Sequence, residues 1–305
     1  MSVPTLRRPA SALAAARRRF AWWLMVPALA IFAANAIFPL LYALDVSVRN
    51  YQLLIPVPPQ FIGLENYARI LSDPLFWSSL KVTLWFIAGV VFLQLPASLG
   101  LALLFDSLPR WAGIGVTILL VPTIIAPSVV GFQWAQIYNY QFGPLNYLLG
   151  LAGLGHPVWT ASPTLALPSL VAIDFWEWTP FMVLLLFAGL RSLPADILEA
   201  ARVDGSSYPK IFLRIMLPLL RPVIGIALVL RVLMSFKTFD IIYILTAGGP
   251  GAATENLAYY TYIQGFRYFN LGYASALAII QLIVVAILAK ALIGLTRKPS
   301  FAGAA

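Results

Sequence analysis

Residues Arg191–Pro222 read RSLPADILEAARVDGSSYPKIFLRIMLPLLRP, a polar segment between two long apolar stretches. Pro194 and Asp196 suit the first turn of a helix, because proline needs no donor there and a carboxylate favours the positive end of the helix dipole. Asp204 followed by Gly205 indicates the end of that helix, since glycine adopts the left-handed cap conformation without a Cβ clash. The segment is therefore predicted to begin with one short helix.

A second short helix is predicted after this turn, starting near Ser206 and Ser207 and ending at Pro218. Both helices carry an apolar stripe at helical spacing. The stripes consist of Ile197, Leu198 and Ala201 in the first helix and of Phe212, Ile215 and Met216 in the second. Helices this short are marginal in water. We therefore expect an amphipathic pair with a right-angled turn, docked either against this protein's own membrane underside or against another chain.

The chain around this segment has the composition of an integral membrane protein. Of its 305 residues, 61% are hydrophobic and only 10% are charged, and its mean hydropathy is +0.87; soluble domains carry about 25% charged residues. A bilayer core of about 30 Å requires roughly 20 apolar residues in a helix. The stretches that meet this requirement are Trp22–Leu44, Val82–Phe105, Ile114–Trp134, Leu165–Leu190, Val223–Leu245 and Ala274–Leu295. The sequence therefore predicts an all-α membrane protein with six transmembrane helices.

Lysine and arginine residues give the orientation of these helices, because cytoplasmic loops carry an excess of both. Fourteen of the 20 lie in the two tails, at Arg110 and in the 191–222 segment, whereas three lie in loops on the other side. Both termini are therefore predicted to be cytoplasmic. The expected organisation is a basic tail (1–21), a six-helix transmembrane domain (22–296) and a short C-terminal tail (297–305).

The basic tail itself has two interpretations. The stretch Ala10–Arg19 either lies as a short helix on the anionic lipid of the inner leaflet or serves only as a positive anchor for the first span. The net charge of +9 is explained by the same asymmetry, so nucleic-acid binding is not predicted.

The residue inventory excludes several kinds of chemistry. The chain has no cysteine and a single histidine, His156, which falls in a predicted outer loop, so no disulfide framework, thiol nucleophile or metal site is predicted. A phosphate loop of the form G-x-x-x-x-G-K-[ST] is absent from the sequence. The chain is therefore not expected to be an enzyme or to hydrolyse ATP itself.

The 191–222 segment resembles the EAA loop of the permeases of binding-protein-dependent ABC importers. The matching residues are Glu199-Ala200-Ala201, Asp204-Gly205, Phe212, Ile215, Leu217-Pro218 and Pro222. The loop lies roughly 100 residues before the C-terminus in that family, and here Gly205 is 100 residues from the end. Ser206 stands where alanine is usual. Phe236–Gly251 (FKTFDIIYILTAGGPG) and the six spans are similar to the carbohydrate permeases of the maltose, glycerol-phosphate and trehalose type.

This resemblance implies the transmembrane domain of a type I ABC importer in the cytoplasmic membrane of a bacterium or archaeon. The implied partners are a second homologous permease, two copies of an ATPase and an extracytoplasmic solute-binding protein. ATP and Mg would bind to the ATPase, and this chain would hold no cofactor. The residues implied to couple the permease to the ATPase are Glu199, Ala200, Ala201, Asp204, Gly205 and Phe212.

Charged residues inside the spans are the candidates for a solute pathway, since each costs about 2.5–3.5 kcal/mol at mid-bilayer. One face of the fourth span carries Asp174, Glu177, Trp178 and Phe181, and one face of the fifth carries Arg231, Met234, Ser235 and Thr238. By resemblance these faces line the sugar site, where carboxylates and arginine would bind hydroxyls and the aromatic rings would contact a pyranose. A structural ion pair of Arg231 with Asp174 or Glu177 explains the charges equally well. Lys237 and Asp240 are expected to pair with each other.

The outer segment 247–269 is rich in aromatic residues and is expected either to help receive the solute-binding protein or to form an interfacial belt. The favoured solute is a neutral di- or oligosaccharide, with glycerol phosphate or another polyol derivative as the alternative. An ion-driven secondary transporter, with Asp174 and Glu177 as proton sites, is disfavoured by the lack of an internal repeat. A membrane-embedded enzyme using the same carboxylates is disfavoured by the lack of an accompanying base or metal cluster.

Overall fold

The computed structural model describes the backbone of residues 10–296 and the side chains of residues 17–294. Within these residues the regular secondary structure is helical, apart from one short antiparallel pair of strands, β1 (Arg49–Asn50) and β2 (Gln60–Phe61). The helices are α1 (Ala10–Phe32), α2 (Phe38–Ser47), α3 (Glu65–Ser72), α4 (Pro74–Ser107), α5 (Ala112–Leu119), α6 (Val121–Ile124), α7 (Pro127–Ile137), α8 (Pro144–Leu151), α9 (Ala166–Arg191), α10 (Ala195–Val203), α11 (Tyr208–Ile211), α12 (Leu217–Phe236), α13 (Asp240–Leu245), α14 (Leu257–Tyr262) and α15 (Leu271–Thr296). Part of the predicted N-terminal tail and the whole predicted C-terminal tail lie outside the described residues.

Five helical segments of the described chain are long and apolar enough to cross a membrane. They are Arg17–Ser47, Pro74–Ser107, Ala166–Arg191, Tyr208–Leu245 and Leu271–Gly294. The first is α1 and α2 joined by a π-turn, and α1 begins at Ala10, so the basic stretch Ala10–Arg19 is continuous with the first span. The fold is that of a multi-pass membrane protein.

The predicted third span, Ile114–Trp134, is helical but not continuous. It falls within α5, α6 and α7, and the chain is extended at Ile125 and Ala126. Two prolines account for the breaks: Pro122 lies in the first turn of α6, and Pro127 disfavours the helical conformation in the residue before it. The pieces remain part of the bundle because α6 packs against α9 and α7 packs against α13.

The second predicted loop helix is longer than expected, and the prediction that Pro218 ends it is wrong. From Tyr208 the chain runs through α11, a π-turn at Phe212–Met216 and α12 as far as Phe236. A π-turn changes the hydrogen-bond register just before the proline, so the missing donor and the ring of Pro218 are accommodated without a break. The loop therefore consists of one short helix, α10, and the first turns of the helical run that forms the predicted fifth span.

The turn between α10 and α11 confirms the role predicted for Gly205. Its φ is +72°, the left-handed conformation that favours glycine. The amide of Gly205 donates to the carbonyl of Arg202 at 3.0 Å, and the amide of Ser206 donates to that of Ala201 at 3.1 Å. These two bonds form a Schellman motif, which ends α10 and turns the chain sharply into the next helix.

At the centre of the bundle α4 and α9 lie along each other over much of their length, and α12 contacts both; α15 packs against α12 and α2. Beneath them an apolar cluster joins the bundle to the loop: Leu186, Leu190 and Leu220 contact Ala201 and Ile211. One face of the loop is therefore docked against this protein's own bundle. This is the first of the two predicted alternatives.

Asp73 links the start of α4 to the aromatic segment 247–269 through Tyr260 and to α15 through Tyr273. Its carboxylate accepts from the amide of Leu75 at 2.9 Å and from the hydroxyls of Tyr260 and Tyr273. Tyr259 and Tyr260 are buried, so these two tyrosines belong to the protein core and not to an interfacial belt. Partial burial raises the pKa of Asp73, but the hydrogen bonds that it accepts outweigh this effect and leave the pKa below its usual value.

Replacing Asp73 with alanine is expected to lower the free energy of unfolding by about 2 kcal/mol, since α4 loses its N-cap and two hydroxyls lose their acceptor. Because the pKa of Asp73 is lowered in the folded state, its contribution is present above the unfolded-state value of about 3.9 and is lost as the pH falls through the folded-state pKa. Denaturant titration of the solubilised protein at several pH values measures both effects. Ser72→Ala is the control, because Ser72 is exposed and bonds only its own helical turn; an equal loss in both variants would contradict the prediction.

Candidate functional site

A cavity of about 280 Å³ lies between α9, α12 and the start of α13. Its wall is formed by Pro127, Asp174, Glu177, Trp178, Arg231, Met234, Lys237, Thr238, Phe239, Asp240 and Ile241. Two features of the chain place these side chains together. The charged face of α9 is turned towards α12, and the helix break at residues 237–239 lets the chain fold over the cavity before α13 begins.

Arg231 and Asp174 form a buried ion pair across the cavity wall, with side chains that are only 1% and 3% exposed. Gln94 of α4 completes the arrangement. Its side-chain oxygen accepts from Arg231 Nε at 2.6 Å, and its amide nitrogen donates to the Asp174 backbone carbonyl at 2.9 Å and to Asp174 Oδ1 at 3.2 Å. We call these three residues the clasp; it joins α4, α9 and α12.

Glu177 lies one turn along α9 from Asp174 and has a different environment. It is 1% exposed, and its Oε1 has no hydrogen-bond partner among the described residues. An unpaired carboxylate oxygen in a buried wall is costly unless something supplies a donor. Trp178 beside it is half-buried, and the Arg231 guanidinium carbon lies 5.7 Å from the centre of its ring. The arrangement offers an acceptor and an aromatic surface to a polar molecule in the cavity.

The structure brings together most, but not all, of the residues predicted for a solute pathway. Asp174, Glu177, Trp178, Arg231 and Thr238 line the cavity. Phe181 lies behind Trp178, with ring centres 6.5 Å apart, and Ser235 is fully buried with its Oγ unpartnered in the described chain. Neither of these last two side chains reaches the cavity wall.

Gln94 was not among the predicted site residues, and the pairing predicted for Lys237 and Asp240 at the cavity mouth is wrong. Gln94 carried a signal, because it is an amide in the middle of an otherwise apolar span. Lys237 and Asp240 were expected to pair with each other, but no ion pair joins them in the described part of the chain. Both are exposed and line the opening of the cavity, because the helix ends at Phe236 and the i, i+3 spacing no longer applies.

The docked loop forms a second candidate site, at the end of the bundle predicted to be cytoplasmic. Of its six predicted coupling residues, Glu199, Ala200, Asp204 and Gly205 are exposed. The other two face inwards: Ala201 is buried and Phe212 is half-buried against the apolar cluster under the bundle. The loop thus has a docked face and an accessible face. The accessible face carries Glu199, Asp204 and the turn at Gly205.

Apolar side chains also lie on the accessible face of the loop. Val203 is 87% exposed, and Ile197, Tyr208 and Leu213 are exposed in the same segment. Large apolar residues grouped around charged ones are typical of a protein contact surface. The loop therefore has a partly apolar accessible face above its docked face.

A bundle of apolar helices around a small cavity lined by charged side chains, with a docked amphipathic loop, defines a polytopic membrane protein with a polar interior site. The chain belongs to the family described as "Binding-protein-dependent transport system inner membrane component", whose model matches residues 9–297. It is thus a membrane-embedded component of a transport system of that kind.

Relatives of known role are similar over most of their length. The trehalose/maltose transport system permease protein MalF of Thermococcus litoralis is 36% identical over 270 residues, which cover 88% of this chain and 90% of that protein. The sn-glycerol-3-phosphate transport system permease protein UgpA of Agrobacterium fabrum is 35% identical, with 74% and 77% covered.

The fold is also shared with a solved structure. A chain of the bacterial alginate ABC transporter, in complex with an alginate pentasaccharide-bound periplasmic protein, superposes with a TM-score of 0.80. The match covers 92% of this chain and 95% of that chain at 20% identity. The transmembrane fold predicted for a type I ABC importer is confirmed by this likeness and by the family match.

Proposed function

We propose that this chain is the permease subunit that forms half of the translocation pathway of a sugar importer. The observation that carries the proposal is the unpartnered Glu177 Oε1 beside Trp178 in the wall of the cavity. A carboxylate accepts hydrogen bonds from sugar hydroxyls, and an indole face packs on the apolar side of a pyranose. The sugar-transport roles of the relatives support the same class of solute.

A neutral di- or oligosaccharide fits this wall better than an anion. Arg231 is the buried cation among the described residues lining the cavity, and its charge is already opposed by Asp174. Glu177 would repel a phosphate group. Import of glycerol phosphate or another polyol derivative by the same mechanism is the second candidate, and it is supported by the likeness to UgpA.

The accessible face of the loop is proposed to couple the chain to a separate ATPase. Glu199 and Asp204 would pair with basic groups of that partner, and the Gly205 turn would set the angle at which α10 seats. ATP and Mg would bind to two copies of the ATPase, a homologous permease would complete the pathway, and a solute-binding protein would dock outside. The protein would lie in the cytoplasmic membrane of a bacterium or archaeon. Both termini would be cytoplasmic, which the excess of basic residues on that side supports.

Replacing Glu177 with glutamine tests the role of the cavity. Glutamine keeps the size of the side chain but removes the charge, and it offers one acceptor oxygen where the carboxylate offers two. The uptake rate of radiolabelled trehalose or maltose, divided by the amount of inserted permease, is expected to fall by about tenfold, because a buried charge-assisted hydrogen bond contributes on that order. Trp178→Ala is expected to lower uptake as well.

The matched control is Glu65→Gln, since Glu65 is exposed at the start of α3 and does not line the cavity. It should retain normal uptake. If Glu177→Gln and Trp178→Ala transport sugar with unchanged rate and affinity, the charges of α9 and α12 serve only to lock the helices and the proposal fails.

A further inference from the structure

Gln94 forms hydrogen bonds with both members of the buried ion pair. It is fully buried on α4 and uses both ends of its amide. The oxygen accepts from Arg231 Nε, while the nitrogen donates to Asp174 Oδ1, the same oxygen that Arg231 Nη2 contacts. A carboxamide is suited to this task because it carries an acceptor and a donor a fixed distance apart.

Arg231 has a second carboxylate beside it, and the ion pair alone does not determine which one it bonds. Glu177 lies on the same face of α9, lines the same cavity and has an oxygen without a partner among the described residues. The contact that distinguishes the two acids is Gln94, which bonds Asp174 and not Glu177. Its oxygen also fixes the direction of the guanidinium by holding Nε, the donor nearest to the helix.

We propose that Gln94 is a positioning residue that sets the solute specificity of the cavity. By holding the Arg231 guanidinium against Asp174, it keeps the positive charge cancelled and leaves Glu177 as the charged group that meets the solute. Without Gln94 the guanidinium loses its fixed direction and turns towards the cavity, where it is accessible to an anion. The inference rests on the proposed function in one respect, namely that solute enters this cavity.

Chemical labelling of Arg231 tests the positioning role without requiring the identity of the solute. Phenylglyoxal reacts with guanidinium groups that are free of partners, and mass spectrometry of the digested importer reports the extent of labelling at Arg231. In the purified wild-type complex we expect little labelling. In Gln94→Met, which keeps the length of the side chain, labelling should rise about tenfold, since losing a hydrogen bond to a charged group shifts an equilibrium by that order. Inorganic sulfate, as the anion probe, should slow this labelling.

Gln281→Met is the matched control. Gln281 also donates from its side-chain amide to partners inside the bundle, the Leu257 carbonyl at 3.2 Å and the Thr261 hydroxyl, but it does not touch the clasp. Arg231 should stay protected in this variant. If Gln94→Met does not insert, Gln94→Asn provides the same test, because its shorter amide does not span from Arg231 to Asp174.

Three results would overturn the inference: unchanged labelling in the Gln94 variants, equal labelling in Gln281→Met, or labelling that sulfate does not slow. The result is separable from the test of the proposed function. Exposure of Arg231 in Gln94→Met together with normal sugar uptake in Glu177→Gln would leave the positioning role intact and reject the solute site. The reverse pattern would reject the positioning role alone.

Discussion

Replacing Arg231 with methionine is expected to lower the free energy of unfolding by about 3–5 kcal/mol, since it leaves Asp174 buried without its partner. The pair is almost completely shielded from bulk solvent, so no surface group can take the place of the guanidinium. Gln94 would also lose the donor to its side-chain oxygen. The measurement is a denaturation titration of the solubilised protein, read together with the amount of permease in the membrane.

An exposed ion pair in the same chain provides the control. Arg191 and Asp106 lie 3.0 Å apart, but their side chains are 47% and 38% exposed, and such pairs contribute about 0–1 kcal/mol. Arg191→Met should therefore change stability little. The triple variant Gln94→Leu/Asp174→Leu/Arg231→Met, which replaces the clasp with apolar groups, should recover most of the loss. Equal losses in Arg231→Met and Arg191→Met would show that burial does not determine the effect.

Replacing Gly205 with valine is expected to uncouple transport from ATP hydrolysis while the permease still inserts. At a φ of +72° a β-branched residue costs roughly 1–3 kcal/mol, and the strain is relieved most directly by breaking the Schellman bonds of Gly205 and Ser206. The accessible face of the loop would then lose its fixed angle. We expect sugar uptake per inserted copy to fall by about tenfold or more, as this amount of strain corresponds to that change in an equilibrium.

Gly153 offers a matched control on the predicted outer side of the membrane. It has the same φ of +72°, and a Cβ added there, as at Gly205, meets nothing within 4 Å. Gly153→Val therefore introduces similar backbone strain away from the loop, and transport should remain near normal. Normal transport in Gly205→Val or Gly205→Asp would contradict a coupling role for the turn.

Local signals explain how much of the fold was predictable. Gly205 was identified because a helix stop followed by a new helix start requires a left-handed residue, and the six apolar stretches were identified by length. Pro218 was misjudged because the effect of proline depends on the turn that precedes it, and a π-turn has no clear sequence signature. At Ile125 the opposite occurs: nearby prolines interrupt the predicted third span, although the hydropathy of this stretch indicates one continuous helix.

The helix faces that line the candidate site were predictable from the sequence, but the hydrogen-bond partners of their side chains were not. Helical spacing placed Asp174, Glu177 and Arg231 on facing surfaces, but it could not decide which acid Arg231 bonds. That choice depends on Gln94, which is 80 residues from Asp174 in the chain, and such contacts arise only when α4 packs against α9. Phe181 and Ser235 lie on the predicted helix faces but do not line the cavity. Only part of each helix face borders the cavity.

The unbroken helical path from Tyr208 to Phe236 gives the protein a stiff lever. At a rise of 1.5 Å per residue, Tyr208 and Arg231 are separated by roughly 35 Å along this path, and a tilt applied at Tyr208 would also move the clasp. The π-turn at Phe212–Met216 is a point of compliance along the rod. A tilt applied at the Gly205 turn would thus reach Arg231 as a change in the angle of α12. Bending at the π-turn would reduce the size of this change.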